Sequence, residues 1–334
     1  MATSVKTIYI GKLCCPVEKP IRDLFFSLVD YRNNLFTSDD PNKIVEFYNG
    51  FENRDQLIQW MKERPKGVNY IHEVEGDKDI IVVIPTADFK GKYAKGCREN
   101  IFKGLHMVFV ESGGRGDFYF NYAHNCNVGI KKAMEYNPKW IVLSNDDMYK
   151  IDDVAKLIKE LKSINENEIS AVYAKSSIYH TVALYVSRRG ILQNLYSLSR
   201  NELYISKIMD KFELKYTIWA KENERHSKIR AFLRAIIAKK IKGSEFTNSQ
   251  SFGIYSSAFV RKRSNLLFDE NYVNSTEEVD ISYYIKISKT PCRIINYQIG
   301  DYVGSTLGIG IKRRLKIILG DTYFINKYLE TLRR

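Results

Sequence analysis

The chain lacks the residue patterns of several common protein classes. Its five cysteines form no Cys-x-x-Cys pair, and its five histidines show no His-Glu-x-x-His spacing. These absences argue against a disulfide scaffold and against a zinc site, and they favour a reducing compartment. No apolar run reaches 18 residues, and no signal-peptide pattern precedes the first strand-like segment. We therefore expect a cytoplasmic protein that is at most peripheral to a membrane.

Positive charge is concentrated in two segments. Of the net charge of +13, residues 221–243 carry +6 and residues 311–334 carry +5. Such a field attracts nucleic acid, anionic lipid or phosphorylated substrates. Between Lys228 and Lys242 the apolar residues recur at helical spacing, which predicts a basic amphipathic helix. This helix either lies on an anionic membrane surface or covers the core. No zinc-finger, RNP or helix-turn-helix pattern accompanies the charge, so we do not expect nucleic acid as a partner.

The first 76 residues contain short elements without recognisable chemistry. We expect either a small α/β extension or a docking module, which ends at a joint near Gly76. Its predicted elements are a strand at Thr7–Ile10, a helix at Ile21–Val29, a strand at Ile44–Tyr48, and a helix at Asp55–Arg64 with Asp55 as its N-cap.

Three apolar segments have the composition of buried parallel strands, and each ends in polar residues. A helix predicted at Asn125–Tyr136 separates two of them, as in a βαβ sheet. The segments and their ends are Asp79–Ile84 with Pro85-Thr86, His106–Val110 with a glycine-rich run that begins at Glu111, and Trp140–Leu143 with Asn145-Asp146-Asp147. In such sheets the ligand crevice lies at the carboxyl ends of the strands, so we expect these polar residues to meet there.

The Asn145-Asp146-Asp147 cluster has two interpretations. Mg²⁺ and Mn²⁺ take oxygen ligands, usually one or two carboxylates together with substrate phosphates, so the cluster fits a metal-diphosphate clamp. The other interpretation is a turn that leads into the next helix, since Asp152 and Asp153 also suit a helix start. The convergence of three strand ends favours the clamp.

Several motifs in order resemble the family 2 glycosyltransferases, which have the GT-A fold. The matching residues are Pro85-Thr86, Glu111, Asn127-Val128-Gly129-Ile130, Asn145-Asp146-Asp147, and Phe268-Asp269-Glu270 followed by Glu277-Glu278-Val279-Asp280-Ile281. The resemblance covers roughly residues 79–310. Glu111 and Glu278 stand where the family usually has Asp, Cys126 replaces a common Arg, and Asp301 replaces a common His.

The resemblance implies an α/β fold with a GT-A-like mixed sheet flanked by helices. We expect the catalytic domain at 77–310, preceded by the extension at 1–76 and followed by basic helices at 311–334 that pack on it. Within 311–334, Gly320 is expected to end one helix and Asp321 to start another. The implied activity is inverting transfer of a sugar from a nucleotide-diphosphate donor, with Mn²⁺ or Mg²⁺ as cofactor. The acceptor is a hydroxyl of a glycan, a lipid-linked molecule or a protein.

The implied site residues fall into two binding groups. Metal ligands are Asp147, Asn145 and Asp301, although Asp301 also suits a surface loop. Residues expected at the nucleotide sugar are Pro85, Thr86, Glu111, Gly113, Gly114, Asn127, Asn145 and Asp146. Asn127 equally suits a helix start, and His124 is expected to be a loop histidine rather than a ligand.

An acceptor hydroxyl is a poor nucleophile, so a carboxylate must remove its proton during attack. Glu278 is the expected base and Glu277 the second candidate. The alternative is that these acids only stabilise the N-terminus of a helix after Ser275-Thr276.

Two other functions share parts of this pattern. A sugar-1-phosphate nucleotidyltransferase places its glycine-rich loop after the first strand, whereas Gly113 and Gly114 follow the second. A non-catalytic sugar-binding protein would not need both Asp147 and Glu278.

Overall fold

The computed structural model describes residues 5–10, 39–113, 117, 119–175, 181–190, 203–220, 243–302, 308 and 310–333. The helices are α1 (Pro41–Asn49), α2 (Arg54–Glu63), α3 (Lys92–Gly96), α4 (Tyr122–Met134), α5 (Val154–Lys162), α6 (Leu203–Lys211), α7 (Ser257–Lys262), α8 (Glu277–Ile287) and α9 (Gly310–Arg333), with a π-helical turn at Cys97–Ile101. The strands are β1 (Val5–Ile10), β2 (Asn69–Val74), β3 (Asp77–Thr86), β4 (Leu105–Glu111), β5 (Trp140–Ser144), β6 (Met148–Lys150), β7 (Ala171–Ala174), β8 (Thr181–Arg188), β9 (Tyr216–Ala220), β10 (Gly243–Ser249), β11 (Phe252–Ser256), β12 (Cys292–Ile295) and β13 (Ile299–Asp301).

The main sheet is mixed and has the order β1-β2-β4-β3-β5-β11-β7-β12. Strands β4, β3 and β5 run parallel at its centre, as the three apolar segments predicted. Strand β11 lies antiparallel between β5 and β7, and β12 runs parallel to β7. The other described strands form two smaller sheets, β10-β8-β9 and β13-β6. The α/β class and the mixed sheet with flanking helices are thereby confirmed.

The central strands are apolar throughout because both faces of the sheet are covered. On one face, Val82 and Ile84 pack with residues of α5 such as Leu157. On the other face, Ile81 and Val83 pack with residues of α4. Alternate side chains of a strand point to opposite faces, so a strand buried on both faces must be continuously hydrophobic.

A separate hydrophobic cluster joins α9 to α1, α2, α6 and the β8-β10 strands. Within it, Leu315, Leu319 and Phe324 of α9 are fully buried. The helix runs through Gly320 without a break, so the expected helix end at this glycine was wrong. A Cβ at Gly320 would collide with the carbonyl oxygen of Ser275. The glycine therefore allows the close approach of α9 to the start of α8.

Two sequence predictions near the N-terminus were wrong. Ile44–Tyr48 is helical, not extended, because Asp40 caps α1 and Pro41 occupies its first turn. The N-cap of α2 is Asn53, whose side chain accepts from the backbone N–H of Gln56, and not Asp55. Asp40-Pro41 is thus the helix-start signal of α1 that the strand prediction left out.

The boundary expected near Gly76 does not separate two sheets. Strand β1 pairs with β2, and β2 pairs antiparallel with the central strand β4. The helices predicted at 21–29 and 228–242 lie outside the described residues. Among the described helices, none combines the length and apolarity needed to cross a bilayer.

Candidate functional site

The carboxyl ends of β3, β4 and β5 meet at one edge of the sheet, as predicted. Thr86 on β3 lies in register with Glu111 on β4. The Thr86 hydroxyl donates a hydrogen bond to Oδ2 of Asp146, at 2.6 Å. Residues 60 positions apart are thus joined directly at the carboxyl edge of the parallel strands, where ligands of such sheets bind.

The acidic turn after β5 is partly buried and fixed from two sides. Tyr122, at the start of α4, donates its hydroxyl to Oδ1 of Asn145 at 2.9 Å. Burial raises the pKa of Asp146, and the Thr86 hydrogen bond opposes that rise. Burial raises the pKa of the Cys97 thiol, and the neighbouring charges of Asp146 and Asp147 raise it further. These contacts therefore hold the turn at the carboxyl edge of the sheet.

Asp147 and Asp301 are brought together by the small β6-β13 sheet. Asp301 lies opposite Met148, and the Tyr302 N–H donates to the carbonyl oxygen of Asp147 at 2.8 Å. The Ser251 hydroxyl donates to Oδ2 of Asp301 at 3.0 Å. Within the described residues, the buried Oδ1 of Asp301 has no hydrogen-bond partner. Asp301 is thus part of the crevice rather than a free surface loop.

A hard divalent cation takes carboxylate oxygens together with the oxygens of a diphosphate, and the residue types of Asp147 and Asp301 fit it. The orphaned Oδ1 of Asp301 supports that fit, because a buried carboxylate oxygen needs a compensating positive charge or donor. Among the residues described, no group of three or more His, Cys, Asp or Glu side chains forms a complete metal cage. Asn145 directs its Oδ1 to Tyr122, which leaves its amide N–H₂ for other contacts.

Glu278 lines a small cavity at the N-terminus of α8, and the volume of this cavity, about 10 Å³, is the room for one water molecule. The pocket is formed by Tyr122, Leu143, Ser249, Gln250, Ser251, Phe252, Gly253, Tyr255, Phe268 and Glu278. Because Tyr122 also contacts Asn145 and Ser251 also contacts Asp301, the pocket is contiguous with the acidic turn. The expected base is therefore linked to Asn145 through Tyr122 and to Asp301 through Ser251.

The two adjacent glutamates of α8 differ in environment. Burial raises the pKa of Glu278 to about 6. Glu277 is 2% exposed, and burial together with the charge of Glu278 raises its pKa well above 4.5. Within the described chain, its Oε2 has no hydrogen-bond partner. The residue before them, Thr276, has the left-handed φ of 74°, a strained conformation for threonine. Glu278 is thus the member of the pair that ionises more readily.

Glu111 is already engaged by neighbouring groups that the sequence did not reveal. Its Oε2 lies 2.5 Å from Nε2 of His72 on β2, and its Oε1 accepts from the Phe89 N–H at 3.4 Å. The His72 ring stacks on Phe89 with centroids 4.2 Å apart. The longer side chain of Glu, compared with the usual Asp, lets the carboxylate reach across to β2.

Asn127 is not at the crevice surface, although it was expected at the nucleotide sugar. It is 1% exposed, and its Oδ1 accepts from the N–H groups of Leu267 and Phe268. Its Nδ2 donates to the carbonyl of Phe268 and to Oε1 of Glu270. All its polar atoms are therefore used to hold the loop that leads to α8. His124 was expected in a loop but lies in the first turn of α4, where it pairs with Glu270 at 2.9 Å.

Of the remaining expected residues, Pro85 and Gly113 are described by the structure. Pro85 is buried inside β3 opposite Val110. Gly113 follows β4, where an added Cβ would press on Asp117. Gly114 lies outside the described residues. Cys126 is buried, and burial, helped by the charge of Glu278, raises its pKa.

Sequence reasoning missed three residues of the crevice: Tyr122, His72 and Ser251. Tyr122 is a helix-start residue five positions before Asn127, and no motif marks it. His72 and Ser251 act through partners that are distant in the sequence. Only their three-dimensional positions reveal them.

Comparison with known proteins adds no relative. No protein-family model matches this chain, and no curated protein matches it either.

Proposed function

We propose that this protein is a metal-dependent glycosyltransferase with a GT-A-like domain, which moves a sugar from a nucleotide-diphosphate donor to an acceptor hydroxyl. The support comes from the mixed sheet, from the acids at its central strand ends and from the ordered motifs of the sequence. Inversion at the anomeric carbon is part of the proposal and rests on the resemblance to family 2 enzymes.

One observation carries the proposal: Glu278 and the acidic turn are joined through a single side chain. Tyr122 lines the Glu278 pocket and donates its hydroxyl to Asn145. A transferase needs a base for the acceptor and an electrostatic clamp for the leaving group within one sugar length of each other. A helix-capping role alone gives no reason for Glu278 to line a cavity with Tyr122, the residue that binds the turn.

Glu278 is the proposed general base. With a pKa of about 6, it is mostly ionised at neutral pH and still basic enough to accept the proton of an attacking hydroxyl. Burial and then the charge of Glu278 raise the pKa of Glu277, which disfavours its ionised form beside an ionised Glu278. Two adjacent buried carboxyls whose pKa values differ can divide into one ionised and one neutral group. Glu277 is therefore proposed as a neutral neighbour rather than as the base.

Asp147 and Asp301 are the proposed carboxylate ligands of Mn²⁺ or Mg²⁺. When bound, such a cation stabilises the negative charge that develops on the departing diphosphate. The Asn145 amide N–H₂, which the Tyr122 hydrogen bond does not use, is the proposed donor to the ribose or phosphate oxygens of the nucleotide sugar. Thr86 fixes Asp146 at the same edge, and Glu111 is the proposed partner of the nucleobase or ribose.

The first test is donor binding. We expect one nucleotide sugar of a panel to raise the melting temperature when Mn²⁺ is present and much less when EDTA is present. A donor at a hundredfold excess over its Kd stabilises the folded state by about 2.7 kcal/mol. If no member of a panel with uridine, guanosine, cytidine, adenosine and thymidine diphosphate sugars shifts the melting temperature, the proposal fails.

The second test separates the base from the clamp. Glu278→Gln is expected to lower the transfer rate at least about 100-fold, the usual scale of a lost general base, while the donor Kd stays within about twofold. Glu99→Gln, which alters an exposed carboxylate on the π-helical turn, is the matched control and should leave the rate unchanged. Full activity of Glu278→Gln would remove Glu278 from the mechanism.

A further inference from the structure

Lys327 of α9 joins two carboxylates that lie on either side of the proposed base in the chain. Its Nζ lies 2.9 Å from Oδ2 of Asp269 and 3.1 Å from Oδ2 of Asp280. Glu278 lies between these two acids, in the first turn of α8 together with Asp280. We call residues 269–280 the base-bearing segment. One ammonium group thus holds both ends of this segment.

Each of the two carboxylates is also held by a tyrosine. The Tyr323 hydroxyl of α9 donates to Oδ2 of Asp269 at 3.1 Å, and the Tyr272 hydroxyl donates to Oδ1 of Asp280 at 3.1 Å. The side chain of Asp280 is 2% exposed and that of Asp269 is 19% exposed. A carboxylate charge in such surroundings needs a paired cation, and Lys327 supplies it to both acids.

The same face of α9 contacts the residues just before the two glutamates of α8. Gly320 lies against Ser275 and Thr276, where an added Cβ would collide with them. Gly320 and Lys327 are seven residues apart, which is about two helical turns, so both lie on one face of α9. This face therefore lies along the base-bearing segment.

The pairing with Lys327 gives Asp269 and Asp280 a structural rather than a chemical task. Neither offers a free carboxylate for a reaction, whereas Glu278 lines the cavity. A buried ion pair is also a poor source of stability, because apolar residues of similar size are often as stable in its place. What the ionic bridge supplies is a fixed geometry.

Building on the transferase function proposed above, we propose that Lys327 is a positioning residue for Glu278, because its bridge between Asp269 and Asp280 fixes the direction in which the first turn of α8 presents the base. Residues within one helical turn move together, so a shift of Asp280 moves Glu278 with it. A misplacement of about 1 Å can lower a reaction rate about 100-fold.

Removal of the ammonium group should make the segment sensitive to pH. In Lys327→Met, Asp280 faces the charge of Asp269 and retains the hydroxyls of Tyr272 and Tyr328 beside it. Burial already raises the pKa of Asp280, and the loss of Lys327, which opposes that rise, raises the pKa further. A group whose pKa is higher in the folded state than in the unfolded state loses its stabilising effect as the pH rises. The segment should therefore open more at pH 8 than at pH 5.

The first measurement is hydrogen–deuterium exchange, which needs no substrate. After correction for intrinsic rates, we expect Lys327→Met to raise exchange at residues 277–287 at least about tenfold at pH 8 and much less at pH 5. Lys327→Arg, which keeps the charge, should exchange as the wild type does. Lys139→Met, which breaks an exposed pair with Asp79, is the matched control and should leave residues 277–287 unchanged.

Asp269→Ala keeps this measurement decisive if Lys327→Met does not fold. It releases one end of the bridge but leaves Lys327 paired with Asp280, so no buried charge loses its partner. Exchange at residues 277–287 should still rise. Wild-type exchange in Asp269→Ala, or a rise in Lys327→Met that is equal at both pH values, overturns the bridge.

The second measurement connects the bridge to the base. We expect kcat for sugar transfer to fall at least about tenfold in Lys327→Met and to recover in Lys327→Arg. The donor Kd and the number of donor sites per molecule should stay those of the wild type. A merely structural loss would instead lower the number of donor sites in proportion to the rate.

The outcomes separate this inference from the proposed function. A wild type that transfers sugar at a rate that Lys327→Met leaves unchanged overturns the positioning role and supports the transferase. A wild type that neither binds nor transfers any nucleotide sugar overturns the transferase and, with it, the role of Lys327 toward a base. In that case the exchange measurement still decides whether Lys327 holds the start of α8.

Discussion

Asp321 gives the stability of this protein a pH dependence that can be calculated. It lies on α9, where its Oδ1 accepts a hydrogen bond from the Thr276 hydroxyl, directly before the two glutamates of α8. Burial raises its pKa from 3.8 to about 7, and this one hydrogen bond only partly opposes the rise. The folded protein therefore holds a proton on Asp321 at pH values where the unfolded chain has lost it.

The sign and the size follow from linkage. Because the folded state binds more protons, the free energy of unfolding falls as the pH rises from about 4 to about 7. One pKa unit corresponds to about 1.4 kcal/mol, so the cost is about 2 kcal/mol at pH 5 and about 4 kcal/mol at pH 8. Asp321→Asn removes the ionisation and keeps an acceptor for Thr276. Its stabilising effect should therefore grow by about 2–3 kcal/mol between pH 5 and pH 8.

Urea unfolding of wild type and Asp321→Asn at pH 5, 6, 7 and 8 measures this difference, and other titrating groups cancel because both proteins share them. Asp153→Asn is the control. Asp153 is an exposed N-cap whose pKa is lowered, first by a hydrogen bond from Lys150, so it is ionised in both states above pH 5. Its substitution should shift stability by the same amount at every pH tested. A stability difference for Asp321→Asn that is equally independent of pH would refute the reasoning.

Three further predictions concern the crevice and the packing beneath it. Transfer activity should rise with pH through about 6 as Glu278 loses its proton, and a rate that is flat from pH 5 to pH 8 would contradict its role as base. Thr86→Val removes the donor to Asp146 and should weaken nucleotide-sugar binding several-fold in calorimetry with little change in melting temperature; an unchanged Kd would show that this hydrogen bond does not shape the donor site. Gly129→Ala places a methyl group against Val83 and should destabilise the fold by about 1–3 kcal/mol in urea unfolding, whereas Gly96→Ala, which meets open space, should not.

The predictable parts of the fold were those encoded by neighbouring residues. Continuous apolar runs identified β3, β4 and β5, because a strand covered on both faces cannot alternate with polar residues. The polar residues after these strands were correctly expected to meet, since parallel strands end at one edge. At Ile44–Tyr48, a short apolar run is compatible with either a strand or a helix, and the Asp40-Pro41 helix start decides for the helix.

The candidate site was predictable in its residue types but not in its contacts. The sequence indicated Thr86 and Asp146 as crevice residues, and their hydrogen bond joins them as expected. It also indicated Asn127, whose amide instead holds the loop before α8. A motif shows that a side chain is polar and lies near the edge of the sheet. The direction in which that side chain points depends on the donors and acceptors that surround it after folding.

The sequence by itself determined the α/β class, the central parallel strands and the acids at their ends. The spacing of apolar residues along a segment, and the polar residues that follow it, are local properties of the sequence. Tertiary structure alone decided that Tyr122 links Asn145 to the Glu278 pocket, that His72 engages Glu111, and that the pKa of Glu278 rises to about 6. These features depend on side chains far apart in the chain and on how much water the folded protein excludes around them. No local pattern of residues encodes either quantity.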